Sequence, residues 1–220
     1  MERTLRHSGT YASAMIRRLL LALLPAALSL TVAPALSRCA AALLDCSNHV
    51  VAAAAVLGEN QCQDESPGAL SAAGCALGNA GRDCEHASEG LGRLSWQDAA
   101  YSLADASASF EAAGANFDGD LAHELEVAAC ALSDGASVSG CISLAAAAGP
   151  ELAASGEALA RAAGSLRAYS RDLADGAMAA RKEAADRLAR ASVALSSAGD
   201  AMREQGCLLE AGRPLDEAAG

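Results

Sequence analysis

The sequence predicts an all-α protein: a disulfide-stabilised antiparallel bundle of about five to six helices, ending in a long helix or helical hairpin. Ala, Leu, Glu and Arg dominate the chain and favour helix, and hardly any stretch alternates apolar and polar residues as a strand does. Leucines recur every seven residues in the last third of the chain. Eight cysteines, an even number, follow an N-terminal export signal.

Residues 1–35 are typical of a signal peptide. Arg17 and Arg18 supply the positive charge, and an apolar run follows from Leu19 to Val32. Ala33-Pro34-Ala35 then matches an A-x-A cleavage signal, so we expect the mature chain to begin at Leu36.

The apolar run predicts export rather than a membrane anchor. It is shorter than the roughly 18 to 20 residues that a span needs, and Pro25 interrupts it. Residues 1–14 are either an additional targeting extension or precede a true start at Met15. We therefore expect a secreted or extracytoplasmic protein, in a lumenal or periplasmic compartment as alternatives, with no membrane association after cleavage.

All eight cysteines lie beyond the predicted cleavage site, as expected for disulfides formed in an oxidising compartment. They are Cys39, Cys46, Cys62, Cys75, Cys84, Cys130, Cys141 and Cys207. The close Cys-x-x-Cys pairs of zinc sites are missing from the sequence, which favours disulfides over metal.

Composition limits the kind of core and the kind of partner. Hydrophobic residues make up 52% of the chain but aromatic residues only 3%, so the helices must approach closely and bury thin seams. The net charge of −11 disfavours binding to nucleic acid and to anionic lipid surfaces.

Five helical segments follow the signal peptide. The pattern predicts helices over residues 37–57, 69–94, 95–117 and 120–148, and these form a Cys-rich bundle over residues 36–149. Residues 150–220 form the long heptad helix or hairpin with a short C-terminal tail.

Local signals mark several helix ends. Ser95-Trp96-Gln97-Asp98 resembles a capping box, Asp120 is the expected N-cap of the fourth helix, and Pro150 suits a first helical turn. The second helix is the weakest prediction, because each of its many glycines costs up to about 1 kcal/mol of helix stability.

The heptad segment alternates large and small residues. Its large positions are Leu152, Leu159, Leu166 and Leu173, then, after a one-residue slip, Leu188, Leu195, Met202 and Leu209. Its small positions are Gly156, Ala163, Ser170, Ala177, Ala184, Ala191 and Ala198. This pattern predicts two helices at unusually short distance if the chain turns near Gly176, and otherwise one continuous rod of about 80 Å.

Helix geometry predicts the disulfide pairs. Cys39 and Cys46 cannot pair with each other on one helix, because their Cα atoms would lie about 10 Å apart. In an antiparallel hairpin of the first two helices, Cys46 with Cys75 and Cys39 with Cys84 fit one register. For the other four cysteines we expect Cys62–Cys130 and, if the last segment folds back, Cys141–Cys207.

Two groups of polar residues have side chains of the kinds that bind metal ions. His49, His86 and His123 lie near cysteines or an acid, but surface histidines on amphipathic helices are the preferred interpretation. Asn116, Asp118, Asp120 and Glu124 resemble part of a calcium loop. Leu121 and Val127 occupy the positions of its glycine and its bidentate glutamate, so a capped turn is preferred.

Catalytic motifs are missing from the sequence. It contains no Gly-x-Ser-x-Gly, no His-Glu-x-x-His and no Gly-rich phosphate loop after a strand. Its one basic cluster, Arg181, Lys182, Arg187 and Arg190, is interleaved with acids, as in a salt-bridged solvent face. We expect no enzyme activity, no cofactor and no metal.

A short part of the chain resembles the plant-type inhibitors of invertase and pectin methylesterase, which are exported four-helix bundles. The resemblance rests on Asp83-Cys84 and on Ala131-Leu132-Ser133-Asp134 leading to Cys141. Cys39 and Cys46 lie closer together than the first cysteine pair of that family, and four further cysteines have no counterpart.

The sequence thus predicts an exported non-enzymatic protein that acts as a structural or protein-binding element, with an unknown protein partner. A secreted helical enzyme inhibitor and, less favoured, a Cys/His metal-binding protein are the alternatives.

Overall fold

The computed structural model describes residues 6–62, 66–137, 148–176 and 178–219, with side chains described from Thr31 to Leu208. These residues contain six helices and no strand. They are α1 (Arg6–Glu59), α2 (Pro67–Gly92), α3 (Trp96–Gly114), α4 (Gly119–Ser137), α5 (Gly149–Ala174) and α6 (Ala179–Ala219). The all-α prediction is confirmed.

The helices pack in chain order, and the last returns to the first. Each helix contacts its neighbours along the chain, and α6 packs against α1 as well as α5. Along α1 and α2, Val51 lies near Gly74 and Leu44 near Gly81, so these two helices run in opposite directions. A core built largely of alanine and leucine lies between the helices.

Helix α1 begins much earlier than predicted. The sequence predicts its start near Ser37, whereas the helix runs unbroken from Arg6 through the predicted cleavage site. The part of α1 with described side chains, Thr31–Glu59, is long and apolar enough to cross a membrane by length and composition, with a mean hydropathy of 1.6. A signal sequence or the core helix of a soluble protein has the same composition, and 44% of the residues in an apolar 18-residue stretch of this helix are buried.

The glycines of α2 have a packing role that the propensity argument missed. A Cβ atom at Gly74 would lie 2.7 Å from a Val51 methyl carbon, and one at Gly78 would lie 2.7 Å from the Ser47 hydroxyl. These glycines therefore let α1 approach α2 closely. Helix α2 spans Pro67–Gly92 without interruption, because this packing compensates for its weak intrinsic propensity.

Buried serines connect adjacent helices. The hydroxyl of Ser47 donates to the carbonyl of Gly74 at 2.6 Å, and that of Ser107 on α3 donates to the carbonyl of Ala129 on α4 at 2.6 Å. Each buried hydroxyl group thus has a hydrogen-bond partner on the neighbouring helix, and the serine side chain is short enough to fit between closely packed helices.

Ser95 is the N-cap residue of α3, so the predicted start of this helix is confirmed. The capping hydrogen bond is not formed, because the Ser95 hydroxyl bonds the Asp98 carboxylate instead of the backbone. The predicted start of the next helix needs correction. Helix α4 begins at Gly119, which adopts a φ of +66°, so Asp120 lies inside the first turn rather than at the N-cap. Trp96 and Phe110 are buried in the core, as the sequence predicts for its large aromatic side chains.

The segment after Pro150 consists of two helices that fold back on each other. Helix α5 ends at Ala174 and α6 begins at Ala179, at the predicted turn near Gly176. A Cβ atom at Gly156 would lie 2.6 Å from the Gly199 carbonyl oxygen, so the backbones of the two helices approach each other closely at these glycines. The large heptad residues of both helices that lie among the described side chains are buried: Leu152, Leu159, Leu166, Leu173, Leu188, Leu195 and Met202.

Candidate functional site

A groove of about 670 Å³ opens at one end of the helices. The start of α2, the turn between α3 and α4 with the first residues of α4, and the C-terminal half of α5 line it. We call it the Tyr169 groove. Its principal lining residues are Leu70, Phe117, Asp118, Asp120, Leu121, Gly164, Tyr169 and Asp172.

The turn between α3 and α4 presents one wall of the groove. Backbone N–H groups of Asn116 and Phe117 donate to the carbonyls of Ala113 and Gly114, at 3.1 and 3.0 Å. The positive φ of Gly119 then starts α4 in a new direction, at little cost because glycine has no Cβ atom. This turn holds Phe117 and the two aspartates that follow it, Asp118 and Asp120, beside the groove.

Apolar side chains form the floor of the groove. Leu70 and Leu121 are buried, while Phe117 and Tyr169 are partly exposed. Gly164 adds open space, since nothing lies within 4 Å of the position that its Cβ atom would occupy. The groove therefore offers an apolar and aromatic surface with room for an additional group.

Carboxylates form the rim. Asp118, Asp120 and Asp172 are all solvent-exposed, and none of the described residues that line the groove is basic. Several negative charges at the mouth of an apolar recess attract a cationic side chain whose aliphatic part can lie in the recess.

The residues of the calcium-like pattern separate in the structure. Asn116, Asp118 and Asp120 line the groove, whereas Glu124 accepts a hydrogen bond from Arg161 at 2.8 Å. The Asn116 amide donates to the Ala112 carbonyl at 2.8 Å, which supports the interpretation as a capped turn.

The contribution of α5 to this groove does not follow from its heptad pattern. Gly164, Tyr169 and Asp172 lie between the heptad leucines, on a part of α5 that the heptad pattern treats as solvent-exposed. Tyr169, an aromatic residue in a chain with few of them, is the signal that could have marked the position.

The histidines form no metal site among the described residues, and part of the basic cluster is paired with an acid. No group of three or more His, Cys, Asp or Glu side chains in this part of the chain is arranged to hold a metal ion. His49 lies 3.7 Å from Asp45 on the same helix. Arg187 pairs with Glu183 at 3.0 Å, as expected for a salt-bridged face.

Cys39 and Cys84 meet in the core between α1 and α2. Both are fully buried, and the structure holds them as free thiols in hydrogen-bond contact. The contact with Cys84 and the burial together raise the pKa of Cys39 well above its ordinary value. The predicted register between these helices therefore brings this cysteine pair together.

The predicted pairs Cys46–Cys75 and Cys62–Cys130 form no disulfide in the structure. Cys46 is buried, and this burial, with a smaller effect of Asp45, raises its pKa to about 12, whereas Cys75 is exposed. Cys62 is buried and Cys130 is exposed, and both are free thiols. Cys207 is likewise exposed, and its predicted partner Cys141 lies outside the described residues.

No protein-family model matches the chain, and neither a curated protein nor a solved structure shows significant similarity to it. The resemblance to the plant-type inhibitors accordingly remains one of short motifs. Function must be argued from the groove and the helices themselves.

Proposed function

We propose that this chain is an exported, non-enzymatic helical protein that binds a partner protein, and that the Tyr169 groove receives a basic segment of that partner. The observation that carries the proposal is the pairing of an apolar floor with a rim of three carboxylates, Asp118, Asp120 and Asp172.

The groove suits one Lys or Arg side chain together with an apolar neighbour. Its volume of about 670 Å³ falls within the range of small binding sites. The aliphatic stem of the partner's residue would lie on Leu70 and Leu121, with its charge near Asp118 or Asp172. Tyr169 and Phe117 add aromatic faces that attract a cation by about 0.5 to 1 kcal/mol at exposed sites.

The net charge of −11 supports the same kind of partner. A strongly acidic protein attracts basic surfaces over long distances and accelerates their encounter. The carboxylates at the rim of the Tyr169 groove then determine where the basic segment binds, which net charge alone does not.

The proposed export brings the cysteines into an oxidising compartment, where we expect Cys39 and Cys84 to form a disulfide. The burial of both residues and the contact between their thiols support this pair. Cys46–Cys75 and Cys62–Cys130 would require the exposed partner to turn inward. Peptide mapping without reduction tests all pairs, and finding Cys39 free in the exported protein would contradict the first.

Binding of a defined probe tests the groove. We expect a fluorescent peptide of alternating Arg and Leu to bind the protein, and the double substitution Asp118→Asn with Asp172→Asn to weaken binding at least about tenfold. Gly164→Leu should also weaken it, because the new side chain fills the groove from an exposed helical position.

Glu85→Gln with Glu157→Gln is the matched control, since it also removes two negative charges, and both residues are exposed and do not line the groove. It should change the dissociation constant by less than about twofold. If it weakens binding as much as the aspartate substitutions, the peptide responds to net charge alone and the groove is not the site.

The inhibitor hypothesis is the special case in which the partner is a secreted enzyme. The same groove substitutions would then restore the activity of an enzyme captured from extracellular fluid. Capture of a non-enzymatic partner would leave the binding proposal standing and would exclude the inhibitor.

A further inference from the structure

The buried seam of α1 continues through the predicted signal-cleavage site. Val32, Ala35 and Leu36 are each 0% exposed, and Cys39 and Leu43 follow on the same face. A cut before Leu36 would remove the first turn of this seam from the folded protein.

The removed residues cover the end of α2. Facing residues of α1 and α2 have numbers that sum to 121 to 125, as for Ser47 with Gly74 and Val51 with Gly74. This register places Val32 and Ala35 opposite the last two turns of α2, where Leu91 is buried.

A hydrogen bond fixes the same contact. The hydroxyl of Ser88 on α2 donates to the carbonyl of Ala33 at 2.7 Å. Ala33 is therefore bonded to the neighbouring helix, and Ala35 is buried in the bundle, whereas Pro34 between them is exposed.

We infer that the signal peptide is removed upstream of Val32, by hydrolysis of the Ser29–Leu30 bond. This inference rests on the proposed export. Ala27-Leu28-Ser29 has small residues at both positions that a signal peptidase requires, and the apolar run from Leu19 to Ala26 still has the length of an h-region.

The reaction needs only the peptidase and water. The C–N bond between Ser29 and Leu30 breaks, the water oxygen forms a carboxylate on Ser29, and Leu30 becomes the new amino terminus. The mature chain then keeps Val32, Ala33 and Ala35 in the bundle.

N-terminal sequencing of the exported full-length product tests the assignment. We expect Leu30, and Ser29→Leu should abolish this terminus because it places a large residue at the cleavage position. Ala35→Leu is the matched substitution at the downstream site, since Ala35 directly precedes that cut as Ser29 precedes the first, and it should leave the Leu30 terminus unchanged. A terminus at Leu36, or an intact Met1 or Met15, overturns the inference.

Thermal unfolding tests the physical reason separately. The chain that starts at Leu36 should melt about 5 °C or more below the chain that starts at Leu30, because it lacks the buried Val32 and Ala35. Within the longer chain, Val32→Ala should lower the melting temperature, while Ser37→Ala, at an exposed position, should not. Equal melting temperatures for the two chains overturn the inference. Failure of the peptide-binding experiment would instead concern only the groove.

Discussion

The close approach of α5 and α6 makes Gly156 the most informative position for substitution. A Cβ atom there would lie 2.6 Å from the carbonyl oxygen of Gly199 and 2.7 Å from the backbone nitrogen of Arg203. Both atoms belong to the backbone, so rotation of a side chain cannot relieve the clash. Gly156→Ala must therefore push the two helices apart.

The size of the effect follows from two opposing contributions. Overpacking in a tight interface costs about 1 to 3 kcal/mol, and the backbone clash places Gly156→Ala toward the upper part of that range. Replacing glycine by alanine within a helix returns about 1 kcal/mol of helix propensity. We expect a net loss of about 1 to 2 kcal/mol in the free energy of unfolding.

Gly164→Ala on the same helix is the matched control. Nothing lies within 4 Å of its Cβ position, so this variant should gain about 0.5 to 1 kcal/mol from helix propensity alone. Helix content followed by circular dichroism during urea unfolding measures both changes. If Gly156→Ala is as stable as Gly164→Ala, the α5–α6 interface is wider than described, and the argument for close packing fails.

Two further predictions concern single side chains. Burial raises the pKa of Asp83 above its ordinary value. Ionisation of this carboxyl group therefore opposes folding. The protein loses this part of its stability as the pH rises from the pKa of Asp83 in the unfolded chain through its higher pKa in the folded protein. Asp83→Asn should therefore raise the melting temperature at pH 7 but not near pH 3, and a larger rise at pH 3 would contradict this. Phe110→Ala should lower the free energy of unfolding by about 3 to 5 kcal/mol, because Phe110 is fully buried. Tyr101→Ala, at a position 63% exposed on the same helix, should change it little, and equal losses in urea unfolding would refute the assignment of Phe110 to the core.

Helix formation and the apolar faces could be predicted from the sequence because both depend on local information. The spacing of Leu159 and Leu166 predicts a helix with one buried face, whatever that face packs against. Trp96 and Phe110 were predicted core residues for the same reason, since large aromatic side chains on such a helix gain most from burial. The register of Cys39 with Cys84 followed from helix geometry.

Tertiary packing decided what local propensity cannot express. Gly74 and Gly78 count against a helix when considered alone, and only the proximity of α1 explains them. The Tyr169 groove joins residues from α2, the α3–α4 turn and α5, which are far apart in the chain. The early start of α1 also depends on tertiary packing. Val32 and Ala35 belong to a stretch with the composition of a signal peptide, and only their contact with other helices makes them core residues.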